Sequence, residues 1–291
     1  MSKLTRIANE KDKIAIYKIW KSVFGDTEAN ISDFFVSFDN KCTTVVVDVS
    51  GEPVAAGHII PAGNLVLDDA KYKCAMIYAI ATLHEHRGLG YASLVTNTLI
   101  SEGLSAGNDV VILCPSNDLL FDFYSDHTDM HEFFYINERT INVISHVEIP
   151  PTLTEISFIE YNTIRELFLV HIPHIETGME TMSYQNRICN VSGGALYRVN
   201  GMNGNGCAII EKREDGSIII SELLLNNISE DAAISSIAIA YPSESYTIRT
   251  PARSNEVNEK TRRFGMISPS VSSNRMIANE QYSPYYGPAF D

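Results

Sequence analysis

The stretch Ile77-Tyr-Ala-Ile-Ala-Thr-Leu-His-Glu-His-Arg-Gly-Leu-Gly-Tyr-Ala92 constrains the fold of this chain more than any other part of its 291 residues. It begins as an apolar β run and passes through a loop whose Gly88 and Gly90 flank Leu89. It then enters a segment, Tyr91 to Glu102, with apolar residues at helical spacing and Gly103 behind it as the expected stop. A helix start carries unpaired N–H groups and the positive end of the macrodipole, and glycine lets an anion approach the main chain with no Cβ in the way. Arg87 adds a fixed positive charge. Residues Arg87, Gly88, Leu89, Gly90, Tyr91 and Ala92 therefore read as a cradle for a diphosphate. A glycine turn into an ordinary core helix is the plain alternative.

The flanking pattern says what kind of sheet holds this loop. Ile16, Ile19, Trp20, Val23 and Phe24 recur at helical spacing and stop at Gly25, which predicts a helix over residues 9–24. A second helix is expected from Ile31 to Phe38. Strands are expected over 43–49, 53–62 and 71–82, with Ser50-Gly51 and Asp68-Asp69 as hairpin turns. Behind the loop and its helix follow a strand over 110–114, a helix over 118–124 and a strand through 133–143. This is a mixed α/β (α+β) order, a mostly antiparallel sheet flanked by helices, and not a doubly wound one. Gly88-Leu-Gly-Tyr-Ala-Ser93 loosely matches a dinucleotide fingerprint, but hairpins precede it and the acid of the next strand, Asp109, stands at the wrong end.

Glu148-Ile-Pro-Pro151 ends both ladders and helices, so two domains are expected, residues 1–148 and 149–291. The second half repeats the plan, with a helix over 160–169 and strands over 195–199, 207–212 and 217–225. GMNGNG, residues 201–206, looks like a phosphate loop but lies between two strands and opens no helix, which makes it a hairpin turn. The strand before Pro115 leads through a helix to Met130. The strand before Pro251 is expected to lead likewise to Met266 over the same interval, which suggests a duplicated fold.

Composition narrows the partners. A formal charge of −14 repels phosphate backbones and anionic lipid, so neither nucleic acid nor a membrane is expected, whereas a cationic amine would be attracted. The longest nearly apolar stretch, Cys74 to Leu83, is too short to span a bilayer, and MSKLTRIANEKDK lacks a secretory core. Cys42, Cys74, Cys114, Cys189 and Cys207 form no CxxC pair and fit reduced thiols in a cytoplasm. Pairs such as His84 with His86, His127 with His131 and His171 with His174 have no evident third ligand, so no metal is expected.

Glu85-His-Arg-Gly-Leu-Gly90 resembles the Q/R-x-x-G-x-G/A loop of the GNAT superfamily of N-acyltransferases. Asn117 and Tyr124, seven residues apart after the next strand, resemble its N-x-x-A-x-x-F-Y helix. The similarity covers residues 5 to 145, and the two-copy layout is similar to the Eis-like tandem members. It implies a GNAT-like sheet, acetyl-CoA as cosubstrate, and a main-chain site at Ala81, Thr82 and Leu83 for the pantetheine arm, beside the diphosphate cradle and Asn117. It also implies that Tyr124 protonates the departing thiolate. About two helical turns separate Asn117 from Tyr124, so they share a face. A merely packed aromatic is the alternative for Tyr124.

These readings converge on direct acyl transfer from acetyl-CoA to the primary amine of a small molecule or peptide, by a cytoplasmic chain that can form a homo-oligomer. The amine must lose a proton, and the strand before the loop carries no acid, which leaves His58, His127 and the chain terminus as base candidates. The tail over 281–291 has four aromatics and no cation, and it is expected to fold back with Asp291 or its α-carboxylate as the base, on the resemblance to Eis-like proteins. A tail packed only on its own domain or at a subunit interface is the other reading. Departures from the family pattern, Glu85, Leu120 and above all Thr128-Asp129 where Gly-Phe is common, leave a non-catalytic acyl-CoA-binding or regulatory module as the alternative.

Overall fold

The structure is a computed structural model that describes residues 3–68, 70–142, 147–253, 261–269 and 281–290. In chain order it contains β1 (Lys3–Ile7), α1 (Lys13–Phe24), α2 (Glu28–Ser37), β2 (Thr43–Val49), β3 (Glu52–Leu67), β4 (Ala70–Thr82), α3 (Tyr91–Ser105), β5 (Val110–Leu113), α4 (Asp118–His127) and β6 (His131–Ile141). There follow β7 (Thr152–Glu155), α5 (Phe158–Leu169), β8 (His174–Thr177), α6 (Met179–Ser192), β9 (Ala195–Asn200), β10 (Asn205–Lys212), β11 (Ile218–Asn226), α7 (Glu230–Ala240), β12 (Tyr246–Pro251) and β13 (Thr261–Ser268). The mixed, mostly antiparallel architecture expected from the sequence is the one found. Helix ends follow local chemistry: Thr27, Asn117, Ser157 and Ser229 each accept a main-chain N–H at an N-cap, and Gly25 at φ 78° ends α1.

The chain forms two compact units, which are not its two consecutive halves. One comprises residues 1–65, 71–133 and 265–273, and the other 66–70, 134–264 and 274–291. In the first, β1, β2 and β3 pair antiparallel in turn, β4 lies beside β3, and β5 runs parallel to β4. The far edge of β5 is covered by the end of β13, with Met266 opposite Leu113 and Ser268 opposite Val111. The core beneath joins Val45, Val47, Ala75, Ile77, Leu113 and Met266 to Val95 and Leu99 of α3 and to Phe121 and Tyr124 of α4.

The second unit repeats this order. Its strands β9, β10 and β11 are antiparallel, α7 crosses over, and β12 returns parallel to β11. The edge of β12 is covered antiparallel by β6, from Ile136 opposite Pro251 to Ile141 opposite Tyr246. The strand that covers β5 thus comes from the far end of the sequence, and the one that covers β12 from its first half. The turn over 201–206 is a hairpin, closed by the Gly201 N–H to the Gly204 carbonyl at 2.9 Å.

Two expectations need correction. Gly103 does not stop α3, which runs to Ser105; a Cβ there would lie 2.5 Å from Ile59 Cδ1 and 2.8 Å from Val111 Cγ2, so glycine serves close helix–sheet packing. The interval match from proline to methionine does not align like elements, since Met130 precedes β6 whereas Met266 lies inside β13; the helix expected before Met266 falls on residues outside the described chain. Residues 254–260, among them Lys260, lie outside the described chain.

The tail residues 282–290 pack within the second unit. Tyr285 exchanges main-chain hydrogen bonds with Pro173 and Ile175, and Ser283 donates to Ala252. Tyr285 and Tyr286 are buried, and a Cβ on Gly287 would fall on the Glu222 carboxylate. That carboxylate is itself buried, accepting from Tyr161 Oη at 2.8 Å and Arg165 Nε at 3.0 Å. Asp291 lies outside the described residues.

Candidate active site

Every described residue of the expected site falls in the first unit, around the point where β4 and β5 part. Their parallel ladder holds from Cys74–Val110 to Ile77–Leu113 and then ends, although β4 continues to Thr82. β5 itself ends at Leu113, and two residues past the last pair Ala79, with a φ of 51°, puts a non-glycine residue in the left-handed region within β4. Such a kink turns the strand away from its neighbour. Main-chain groups of alternate residues in Tyr78–Thr82 consequently face the side that β5 has left.

The last turn of β4 is tied down from behind. Leu83 donates to the Val54 carbonyl at 3.0 Å, and Arg87 Nε donates to the Thr82 carbonyl at 3.2 Å, which folds the exposed arginine back over the strand end. Ala81 is buried, while Thr82 is half-buried with its hydroxyl oxygen sealed and without a hydrogen-bond partner. A 3₁₀ turn, His84–His86, follows and leads to Gly88 and Gly90 at φ 75° and 76°. Nothing lies within 4 Å of where a Cβ would stand on either glycine. Gly90 is the N-cap of α3, no side chain caps this helix, and Leu89 at the loop tip is exposed. The start of α3 thus presents main-chain donors and the positive end of its dipole to open space. An anion of diphosphate size fits this surface on geometry and charge alike.

Helix α4 supplies the remaining two residues. Asn117 is its N-cap, with Oδ1 accepting from the Leu120 N–H at 3.2 Å. Two turns on, Tyr124 is buried in the core with its ring edge-on to Phe123 at 5.1 Å. Its hydroxyl makes no hydrogen bond to a described residue, and burial raises its pKa above the usual phenol range, so the proton is held at neutral pH. Thr128, one of the departures from the family pattern, caps the helix end by donating both its N–H and its hydroxyl to the Tyr124 carbonyl, at 3.0 and 2.6 Å.

The two histidines considered as bases differ sharply. His58 is buried, with Nδ1 2.8 Å from Thr44 Oγ1 and its ring packed by Trp20, Phe34 and Phe35; desolvation pushes its pKa down to about 3. A nitrogen that weakly basic cannot take a proton from an alkylammonium ion. His127 is exposed at the end of α4, stacked on Phe123. Ala79 and its neighbour Tyr78, stacked on Phe34 at 5.2 Å, escaped the sequence reading, since an alanine gives no sign of a left-handed φ. Among the described residues no group of three or more His, Cys, Asp or Glu is disposed to hold a metal ion. No described helix is long and apolar enough to cross a membrane.

Residues 5–126 match the family model described as an acetyltransferase (GNAT) domain. Solved structures agree in fold. A probable N-acyltransferase from Enterococcus faecalis superposes with a TM-score of 0.67 at 14% identity, covering 92% of this chain and 72% of that one. Eis1 from Mycobacterium abscessus gives 0.59 at 10% identity, covering 91% and 73%. A putative acetyltransferase from Pyrococcus horikoshii gives 0.58 at 14%, covering 97% and 94%. No curated protein matches the chain by sequence.

Proposed function

We propose that this chain is an acyl-CoA-dependent N-acyltransferase that moves an acetyl group from acetyl-CoA directly to the primary amine of a small molecule or peptide. The observation that carries the reading is one conjunction: the Ala79 kink opens β4 from β5 beside the uncapped start of α3, and the unpartnered Tyr124 phenol belongs to the core of the same unit. Residues Arg87 to Ala92 take the diphosphate, Ala81 to Leu83 pair with the pantetheine amides, and Asn117 offers Nδ2 from the start of α4. The amine nitrogen bonds to the thioester carbon, the C–S bond breaks, and the sulfur receives the Tyr124 proton, which solvent then replaces. Because burial opposes a free phenolate, that proton moves late, as the C–S bond parts. The acceptor's own proton is assigned to the carboxylate of Asp291, on sequence grounds alone.

We assign residues 149–291 to a degenerate copy of the same domain. Where the first copy has Gly88 and Gly90, this one has Asn226 to Ser229, and α7 is capped by Ser229 Oγ, with Glu230 and Asp231 in its first turn. Those acids disfavour a diphosphate.

The test is release of free thiol from acetyl-CoA against a panel of amines. Tyr124→Phe should lower kcat by about 10²-fold, within the range of one positioned proton donor, and leave acetyl-CoA affinity within about 2-fold. Binding of CoA with no turnover on any amine would favour the non-catalytic module, and a Tyr124→Phe enzyme with full kcat would remove Tyr124 as the acid.

A further inference from the structure

We infer that Met266 is a positioning residue for the Tyr124 acid, supplied to the first unit by the distant end of the chain; this rests on the reading of Tyr124 given above. Ile77 of β4 stands opposite Leu113 of β5, and Leu113 stands opposite Met266 of β13. The three form one row across three strands, and it is the last row before β4 leaves β5. Cross-strand partners point to the same face, so this row forms the floor of the sheet where the opening begins.

All three side chains are buried, and all belong to the core that also holds Tyr91, Phe121 and Tyr124. Tyr91 is the first residue of α3, and Phe121 and Tyr124 are successive inward positions of α4. Among the described residues nothing hydrogen-bonds the Tyr124 hydroxyl, and its ring sits in the packed core, edge-on to Phe123. A side chain held by packing moves when the floor beneath it loses volume. Met266 is the piece of that floor with the most rotatable bonds and the most remote origin in sequence. The diphosphate cradle does not depend on it in the same way, since its elements are backbone conformation at Gly88 and Gly90 and an uncapped helix start.

The test is a double-mutant cycle on the full chain with Met266→Ala and Tyr124→Phe, reading kcat, CoA affinity by calorimetry and folding by thermal melt. Met266→Ala should lower kcat by about 10-fold with CoA affinity changed less than about 2-fold, and Met266→Leu, which restores the volume, should recover most of the loss. In the Tyr124→Phe background Met266→Ala should have little further effect, because the group it positions is gone. If the two losses multiply, or if kcat and CoA affinity fall together, Met266 is only core and the inference is overturned. A Tyr124→Phe chain with full kcat would instead sink the reading of Tyr124, and this inference with it. Should Met266→Ala fail to fold, Met266→Val and Met266→Leu give the same graded comparison at smaller loss of volume.

Discussion

At the scale of single residues the chain holds its unusual groups by burial, and burial leaves a signature in pH. His58 is neutral in the fold, since desolvation sets its pKa near 3, while in the unfolded chain it titrates near the ordinary value of 6.5. Above pH 6.5 both states carry a neutral ring and the difference contributes nothing. As pH falls from 6.5 towards 3, the unfolded chain takes up a proton that the native one refuses, so stability falls. Replacing His58 with Gln should flatten the stability profile over that window by about one proton, on the order of 1.4 kcal/mol per pH unit. The measurement is urea unfolding at stepped pH. An unchanged slope would mean that the native ring does take up the proton. Such a residue was visible in the sequence only as one histidine among eight, because nothing local marks a ring that three aromatics will enclose.

Elements with strong periodicity or punctuation were legible. The helix before Gly25, the loop at Gly88 and Gly90 and the turns at Ser50-Gly51 and Gly201–Gly206 all lie where their glycines put them. The short strands β1, β7 and β8 and the polar helix α6 were not, since four or five residues carry no period and α6 has few apolar positions to repeat. Gly103 was misread for a related reason: glycine at a stop and glycine at a close contact look the same until the sheet is present. The contrast between the two crossover helices carries a prediction at this scale. Of these two, α3 starts without a side-chain cap, behind two left-handed glycines, and α7 starts behind a serine cap with two acids in its first turn. Calorimetry should give one CoA per chain, and Gly90→Glu, which sets bulk and negative charge at the cradle, should weaken CoA binding by more than about 10²-fold while leaving the fold intact. Two equivalent sites, or normal binding by the variant, would move the cradle elsewhere.

For the whole molecule, which strand closes which sheet is a matter of long-range pairing, and no local pattern in the sequence marks that β13 covers β5 or that β6 covers β12. The tail shows the same limit. Its aromatics announced burial, and the partner is now specific: Tyr285 and Tyr286 lie inside the second unit and Gly287 rests on Glu222. Deleting residues 286–291 should therefore cost stability, on the order of 3 kcal/mol for the loss of a buried aromatic. Removing Asp291 alone leaves those contacts in place and isolates the proposed base: kcat should drop several-fold with the melting temperature unchanged. A chain lacking Asp291 with full kcat would return the acceptor's proton to water or to another group.

The exchange of closing strands also sets an order in time. During synthesis the first copy emerges complete to β6, yet its β5 edge waits for Met266 to Ser268, about 150 residues later, because contacts so distant in sequence form only once both partners have left the ribosome. Until then Val110 to Leu113 present an unpaired apolar edge of the kind that captures other strands. The unit that carries the proposed site is in this sense the last part of the chain to be finished, and a nascent chain released before residue 268 would be prone to association however well its glycine loop had formed.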